Sequence, residues 1–143
     1  MKTEFQLIIV CGRNSKLKRR LEKRKGRLKK KVLILEYVDN INELMSIASL
    51  IITKPGGLTT AEALSKNLPM LLVNHIPGQE ENNTKFLLKA GVAIRAKQEE
   101  DIPILVTELL CSKNKLNQMR EQAKGLGKPS STIDLVRFIL HLL

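Results

Sequence analysis

The chain has 143 residues, 43% of them hydrophobic and only 3% aromatic, which fits one domain whose core is built from Leu, Ile, Val and Ala. Cys11 and Cys111 are too few and too far apart for a disulfide framework or a CxxC metal site, and they read as ordinary thiols in a reducing compartment. No apolar run approaches the roughly 20 residues that span a bilayer, and the first residues lack a signal-peptide pattern, so a soluble or peripheral protein is expected.

In chain order, Phe5 to Gly12 is a short apolar run with β-branched residues closed by glycine, the pattern of a buried strand. "SKLKRRLEKRKG" places Leu17 and Leu21 four apart among charges and stops at Gly26, which predicts a surface helix. Lys31 to Val38 is the next strand. "DNINELMSIAS" then sets Ile41, Leu44, Met45 and Ala48 on one helical face after an Asp/Asn start. "LIIT" is a third strand, followed by a helix from about Thr59 to Lys66. "PMLLVN" is a fourth strand, Glu80 to Ala90 a helix ended by Gly91, and "VAIRA" a short fifth strand. Helices over Ile102–Cys111, Asn114–Lys124 and Ser131–Leu143 complete the chain.

Strand and helix alternate five times with short connections. This predicts an α/β fold, a Rossmann-like doubly wound parallel sheet of about five strands with helices on both faces and a helical C-terminus, as one domain over residues 1–143. Ligands in such sheets sit at the carboxyl ends of the strands, so the loops after Cys11, Glu36, Thr53 and Asn74 are the candidate site.

The formal net charge of +11 is concentrated in one place, because Arg13 to Lys31 holds twelve basic residues against the single acid Glu22. The remainder is balanced, with thirteen charges of each sign. Such a patch attracts anionic lipid surfaces or nucleic acid, and it also fits a solvated surface helix.

The stretch "TKPGGLTTAE" follows the third strand. Gly56 and Gly57 remove side chains where the backbone turns, and free N–H groups at a helix start attract phosphate. The same letters fit a Pro-Gly-Gly turn followed by a Thr59/Glu62 capping box, and they lack both the GxGxxG spacing and the P-loop lysine. The fourth loop, "HIPGQEENN", offers Gln79, Glu80, Asn82 and Asn83 at a helix start. That mix of amides and carboxylate suits sugar hydroxyls, which both donate and accept, and it also suits a capped, solvated first turn. His75 has no partner fixed by sequence. No Ser/His/Asp set, metal-spaced cluster or paired-acid site stands out.

Taken together, "CGRNSKL", "YVDNINELMSIASLIITKPGGLTTAEAL" and "LPMLLVNHIPGQEENNTKFLLKAGVAI" resemble the carboxyl-terminal half of GT-B glycosyltransferases. The likeness is to the monogalactosyl- and glucosyl-diacylglycerol synthases, with the MurG group more distant. It covers about Phe5 to Ala96 with matching order and spacing. The resemblance implies a domain that binds a UDP-sugar donor. Gly56, Gly57, Thr59 and Thr60 would then face the diphosphate, and Glu62 the ribose. Tyr37, Val38, Arg13 and Asn14 would surround the uracil, and Gln79, Glu80 and Asn83 would hold the donor sugar. No catalytic residue is assigned and no metal or other cofactor is expected.

The family's amino-terminal acceptor domain is absent, so the resemblance implies a fragment or one part of a split enzyme completed by a partner chain. The expected reaction is inverting transfer of a hexose to a lipid such as diacylglycerol. The expected location is the cytoplasmic face of an anionic membrane, docked through residues 16–31. Two other readings stand beside this one: a nucleic-acid-binding domain using residues 13–31, which lacks aromatic interleaving, and half of a nucleotide-sugar epimerase, whose catalytic groups are not evident. No nucleic-acid partner is expected on the favoured reading.

Overall fold

In the computed structural model, residues 4–28, 30–73, 78 and 80–142 are described. They form two units, divided after Ile41. In the first, strand β1 (Gln6–Val10) leads through helix α1 (Ser15–Lys25) to strand β2 (Lys31–Leu35). The two strands pair in parallel, with Ile8 opposite Leu33. Alternation buries Val32 and Ile34 on one face of β2, as period-two patterning requires. The α1 helix packs on β2 while carrying no fully buried residue, as expected of a charged helix with a thin Leu17/Leu21 stripe.

The second unit holds the remaining elements: α2 (Ile41–Ile47), β3 (Ile51–Thr53), α3 (Gly57–Ser65), β4 (Met70–Leu72), α4 (Glu81–Lys89), β5 (Ala93–Arg95), α5 (Asp101–Cys111), α6 (Lys113–Lys124) and α7 (Ser131–His141). Its three strands are parallel in the order β3-β4-β5, with Ile51 opposite Met70 and Met70 opposite Ala93. Central β4 is buried at every position, which explains why it reads as an unbroken apolar run. Leu109, Leu116 and Met119 form a core cluster from α5 and α6, with Leu50 and Ile94 packed against it.

The expected alternation of parallel strands and helices is therefore present, with five strands in two hydrogen-bonded sheets. Element positions agree with the sequence reading within a few residues, and one of the small offsets is informative. Helix α3 begins at Gly57, two residues before the expected start at Thr59.

Two glycines illustrate ordinary structural demand. Gly91 ends α4 with φ +71, in the left-handed region that favours glycine. At Gly127, beyond α6, an added Cβ would lie 2.5 Å from the carbonyl oxygen of Leu64 near the end of α3. The chain there passes too close to α3 for any side chain. By contrast, α7 presents Ile133, Leu135, Val136 and Phe138 to solvent, each at least half exposed. Among the described residues, no helix is long and apolar enough to cross a membrane.

Candidate functional site

The loops after β1 and β2 meet within the first unit. Asn14 caps α1, its Oδ1 accepting from the Leu17 N–H at 2.9 Å, which is the usual way a helix start satisfies an orphan donor. The Arg13 guanidinium lies over the Tyr37 ring, 5.5 Å from its centre, within cation–π range. Tyr37 is 60% exposed, and Val38 is half-buried. Lys18 reaches Glu36 at 3.4 Å. Arg13 and Tyr37 thus form one cluster, with Asn14 committed through its oxygen to the helix start.

The second unit carries the turn between β3 and α3. Pro55 is almost wholly buried and anchors that turn. Gly56 is the N-cap of α3, with φ −70 and ψ 141 and no capping side chain. The first backbone bond of the helix runs from the Thr60 N–H to the Gly56 carbonyl at 3.0 Å. Helix geometry therefore leaves the N–H groups of Gly57, Leu58 and Thr59 without a carbonyl of the helix to accept them. The Thr60 hydroxyl donates back to the carbonyls of Gly56 at 2.8 Å and Gly57 at 3.2 Å, and the residue is only 5% exposed. Its single proton fastens the first turn, whereas Thr59, half-buried, stands among the orphan N–H groups. Helix α4 repeats the device, with buried Thr84 donating its hydroxyl to the Glu80 carbonyl at 2.9 Å.

The start of α3 at Gly57 removes the alternative role for Glu62. A capping box joins the N-cap to the third helical residue. With Gly56 as N-cap, that third residue is Thr59, and Glu62 lies a turn further on. Among the described residues, its carboxylate takes no hydrogen bond or ion pair.

Neither the backbone nor internal crowding calls for glycine at position 57. It is helical, is not among the residues with positive φ, and an added Cβ would meet no atom within 4 Å. A methyl at Gly56 would come no nearer than 3.9 Å to a Glu80 Oε1. At Gly56 the preference for glycine over alanine at an N-cap supplies a reason of its own. At Gly57, glycine weakens the helix by up to about 1 kcal/mol relative to alanine and returns nothing inside the chain.

The third and fourth loops also meet. Asn83, on the first turn of α4, donates from Nδ2 to the Pro55 carbonyl at 3.0 Å, and Glu80 lies beside Gly56. Gln79 and His75 lie outside the described residues. Sequence reasoning missed a cavity of about 200 Å³ at the carboxyl ends of β4 and β5, lined by Val73, Arg95, Lys97 and Gln98 among others. The backbone beneath it is held by Asp101, whose Oδ2 accepts from the N–H groups of Lys97 at 3.1 Å and Gln98 at 3.2 Å. The signal available beforehand was an Asp at a helix start three and four residues after those amides. Among the described residues, no group of three or more His, Cys, Asp or Glu side chains could hold a metal ion.

Comparison with known proteins shows the family and the fold. The profile of the glycosyltransferase family 28 C-terminal domain matches residues 1–135. A processive diacylglycerol beta-glucosyltransferase of Staphylococcus carnosus is 39% identical over 140 residues, covering 98% of this chain and 36% of that protein. One from Bacillus subtilis is 36% identical over 137 residues, covering 96% of this chain and likewise 36% of that protein. The chain thus spans about a third of the length of these relatives. Among solved structures, MurG of Acinetobacter baumannii superposes with a TM-score of 0.70 at 19% identity, over 99% of this chain and 51% of that one. The spinosyn forosaminyltransferase SpnP superposes at 0.62 and 17% identity, over 97% of this chain and 44% of that one. These likenesses show the fold, one half of the GT-B architecture. Neither the nucleic-acid nor the epimerase reading is supported by these relatives.

Proposed function

Because the chain belongs to the glycosyltransferase family 28 C-terminal domain family, we propose that it binds the UDP-sugar donor of an inverting glycosyltransferase that transfers a hexose to a lipid acceptor. The observation that carries this reading is Gly57, a glycine at the head of α3 that neither φ nor packing requires, beside three N–H groups that the helix leaves unpaired. Removing the side chain there lets an anion reach those groups, and the positive end of the helix favours its charge.

The diphosphate is assigned to the N–H groups of Gly56 and Gly57 and to Thr59, with Thr60 holding the turn that presents them. Glu62, free of any capping duty, takes the ribose diol as a two-oxygen acceptor. Arg13, Asn14, Tyr37 and Val38 are assigned to the uracil, and Gln79 and Glu80 to the sugar. Asn83, whose amide nitrogen is committed to Pro55, is treated below.

In the reaction, an acceptor hydroxyl attacks the anomeric carbon in line as the bond to the diphosphate breaks. The helix N–H groups stabilise the charge gathering on the departing UDP. On this reading the leaving group is neutralised by fixed amide dipoles and needs no metal. The acceptor site and general base are assigned to sequence of the kind the longer relatives carry beyond this domain. The two relatives named above are diacylglycerol glucosyltransferases, which makes diacylglycerol and glucose the first acceptor and sugar to try.

The reading includes docking to an anionic membrane, at its cytoplasmic face, and the basic side of α1 supports the electrostatic part of it. At helical spacing, Lys16, Arg19, Arg20, Lys23 and Arg24 fall along one side, and all are exposed. Lys18 and Lys25 are instead drawn to Glu36 and Glu22.

Calorimetric titration of the chain with UDP tests the donor reading. Saturable binding in the micromolar to millimolar range is expected. Absence of binding at millimolar UDP, with tight salt-dependent RNA binding in its place, would overturn it.

A further inference from the structure

The bond from Asn83 Nδ2 to the Pro55 carbonyl spans 28 positions of sequence and joins the first turn of α4 to the turn that opens α3. The acceptor matters because the Pro55 carbonyl and the Gly56 N–H belong to one peptide unit. Among the described residues no peptide bond is cis, and in a trans unit C=O and N–H point in opposite directions. Holding the carbonyl toward α4 therefore holds the Gly56 N–H away from α4. Buried Pro55 fixes its own φ and has no N–H, and Gly56 tolerates most backbone angles. The Pro55–Gly56 plane is thus the one unit in this turn that can reverse at small cost. A hydrogen bond at the carbonyl end also polarises the unit and strengthens its N–H as a donor.

We propose that Asn83 is a positioning residue for the diphosphate-binding turn, acting through the Pro55–Gly56 peptide by one Nδ2 hydrogen, a duty separate from any contact its Oδ1 makes with the donor sugar. This inference rests on the donor-binding reading above. It gives two neighbouring side chains at the head of α4 different duties, with Glu80, the N-cap, beside the sugar and Asn83 supporting the phosphate cradle from behind.

The two roles separate in one experiment on the full chain. Asn83→Asp keeps the shape and an acceptor oxygen for a sugar hydroxyl, but it removes the N–H donor and turns an anionic oxygen toward the Pro55 carbonyl. Titration with UDP and with UDP-glucose is expected to show both weakened by the same factor, on the order of tenfold for one lost hydrogen bond plus repulsion. Undiminished UDP affinity with weaker UDP-glucose binding overturns the inference while leaving the donor-binding reading intact. If the unsubstituted chain binds neither nucleotide, the donor-binding reading fails, and the inference with it. Should Asn83→Asp not fold, the unsubstituted protein supplies the readout by NMR. A scalar coupling across the Asn83 Nδ2–Pro55 carbonyl bond is expected, retained on UDP addition. Its absence, or its loss as UDP binds, overturns the proposal.

Discussion

Replacing Gly57 by alanine separates what the fold needs from what the ligand needs. The position lies at the first residue of α3, and an added Cβ meets no atom within 4 Å. The methyl therefore enters open space, and the unfolded chain loses freedom that it would otherwise regain. The substitution should leave the fold intact and stabilise it by up to about 1 kcal/mol, raising Tm by a few degrees at most, roughly 2–5 °C for a domain of this size. Binding should move the other way. The methyl occupies the approach to the N–H groups of Gly57, Leu58 and Thr59, and each charge-assisted bond to phosphate that it lengthens or breaks contributes about 1.5–3 kcal/mol. Loss of one such bond corresponds to roughly 10- to 150-fold weaker UDP binding. Thermal unfolding and calorimetry on the same sample read both quantities. If Gly57→Ala binds UDP as tightly as the parent chain, the glycine is not there for a ligand, and the argument from an unneeded glycine collapses. A large fall in Tm would be equally damaging, since it would reveal an internal demand for glycine that the structure does not contain.

Three further outcomes follow from the geometry. Glu62→Ala should weaken UDP binding about tenfold or more while leaving Tm within about 2 °C, because the carboxylate has no capping role to lose; a clear Tm loss with unchanged affinity would return it to the helix. Gly127→Ala drives a Cβ to 2.5 Å from the Leu64 carbonyl oxygen, and urea unfolding should show a loss of about 1–3 kcal/mol from overpacking; an unaffected midpoint would mean that the segment after α6 moves aside freely. Replacing Lys16, Arg19, Arg20 and Lys23 by glutamine should abolish sedimentation with phosphatidylglycerol vesicles at low salt, since each charge near such a surface contributes about 1 kcal/mol. Equal binding of the parent chain to anionic and neutral vesicles would sink that electrostatic account.

What could be read from the sequence was whatever is local and periodic. The Ile41, Leu44, Met45 and Ala48 spacing gave α2, and those four positions are the less exposed ones there. The unbroken run at Met70–Leu72 marked the buried central strand. The start of α3 is masked in the sequence because Thr59 and Glu62 imitate a capping box, whereas the N-cap is Gly56, which caps with no side chain. Side-chain capping leaves a signature in letters, and a bare backbone cap does not. Asn14 shows the opposite difficulty: its letter allows both a ligand contact and a cap, and only the 2.9 Å bond to the Leu17 N–H settles where its oxygen goes. The Asn83–Pro55 bond was out of reach for a simpler reason. Its partners are 28 residues apart, and no periodicity connects a helix's first turn to a carbonyl in a different loop.

The close passage at Gly127 reaches beyond packing. Helix α3 is gripped at its far end, where the backbone after α6 comes against Leu64 and Ser65, and at its near end, where Asn83 takes hold of Pro55. A helix secured at both ends has little freedom to surrender when an anion arrives, so the entropic penalty of ordering the cradle is met during folding. Association with UDP should therefore be a single fast step without a slow closing phase, and the helix amides should show the same hydrogen-exchange protection with and without nucleotide everywhere except in the first turn.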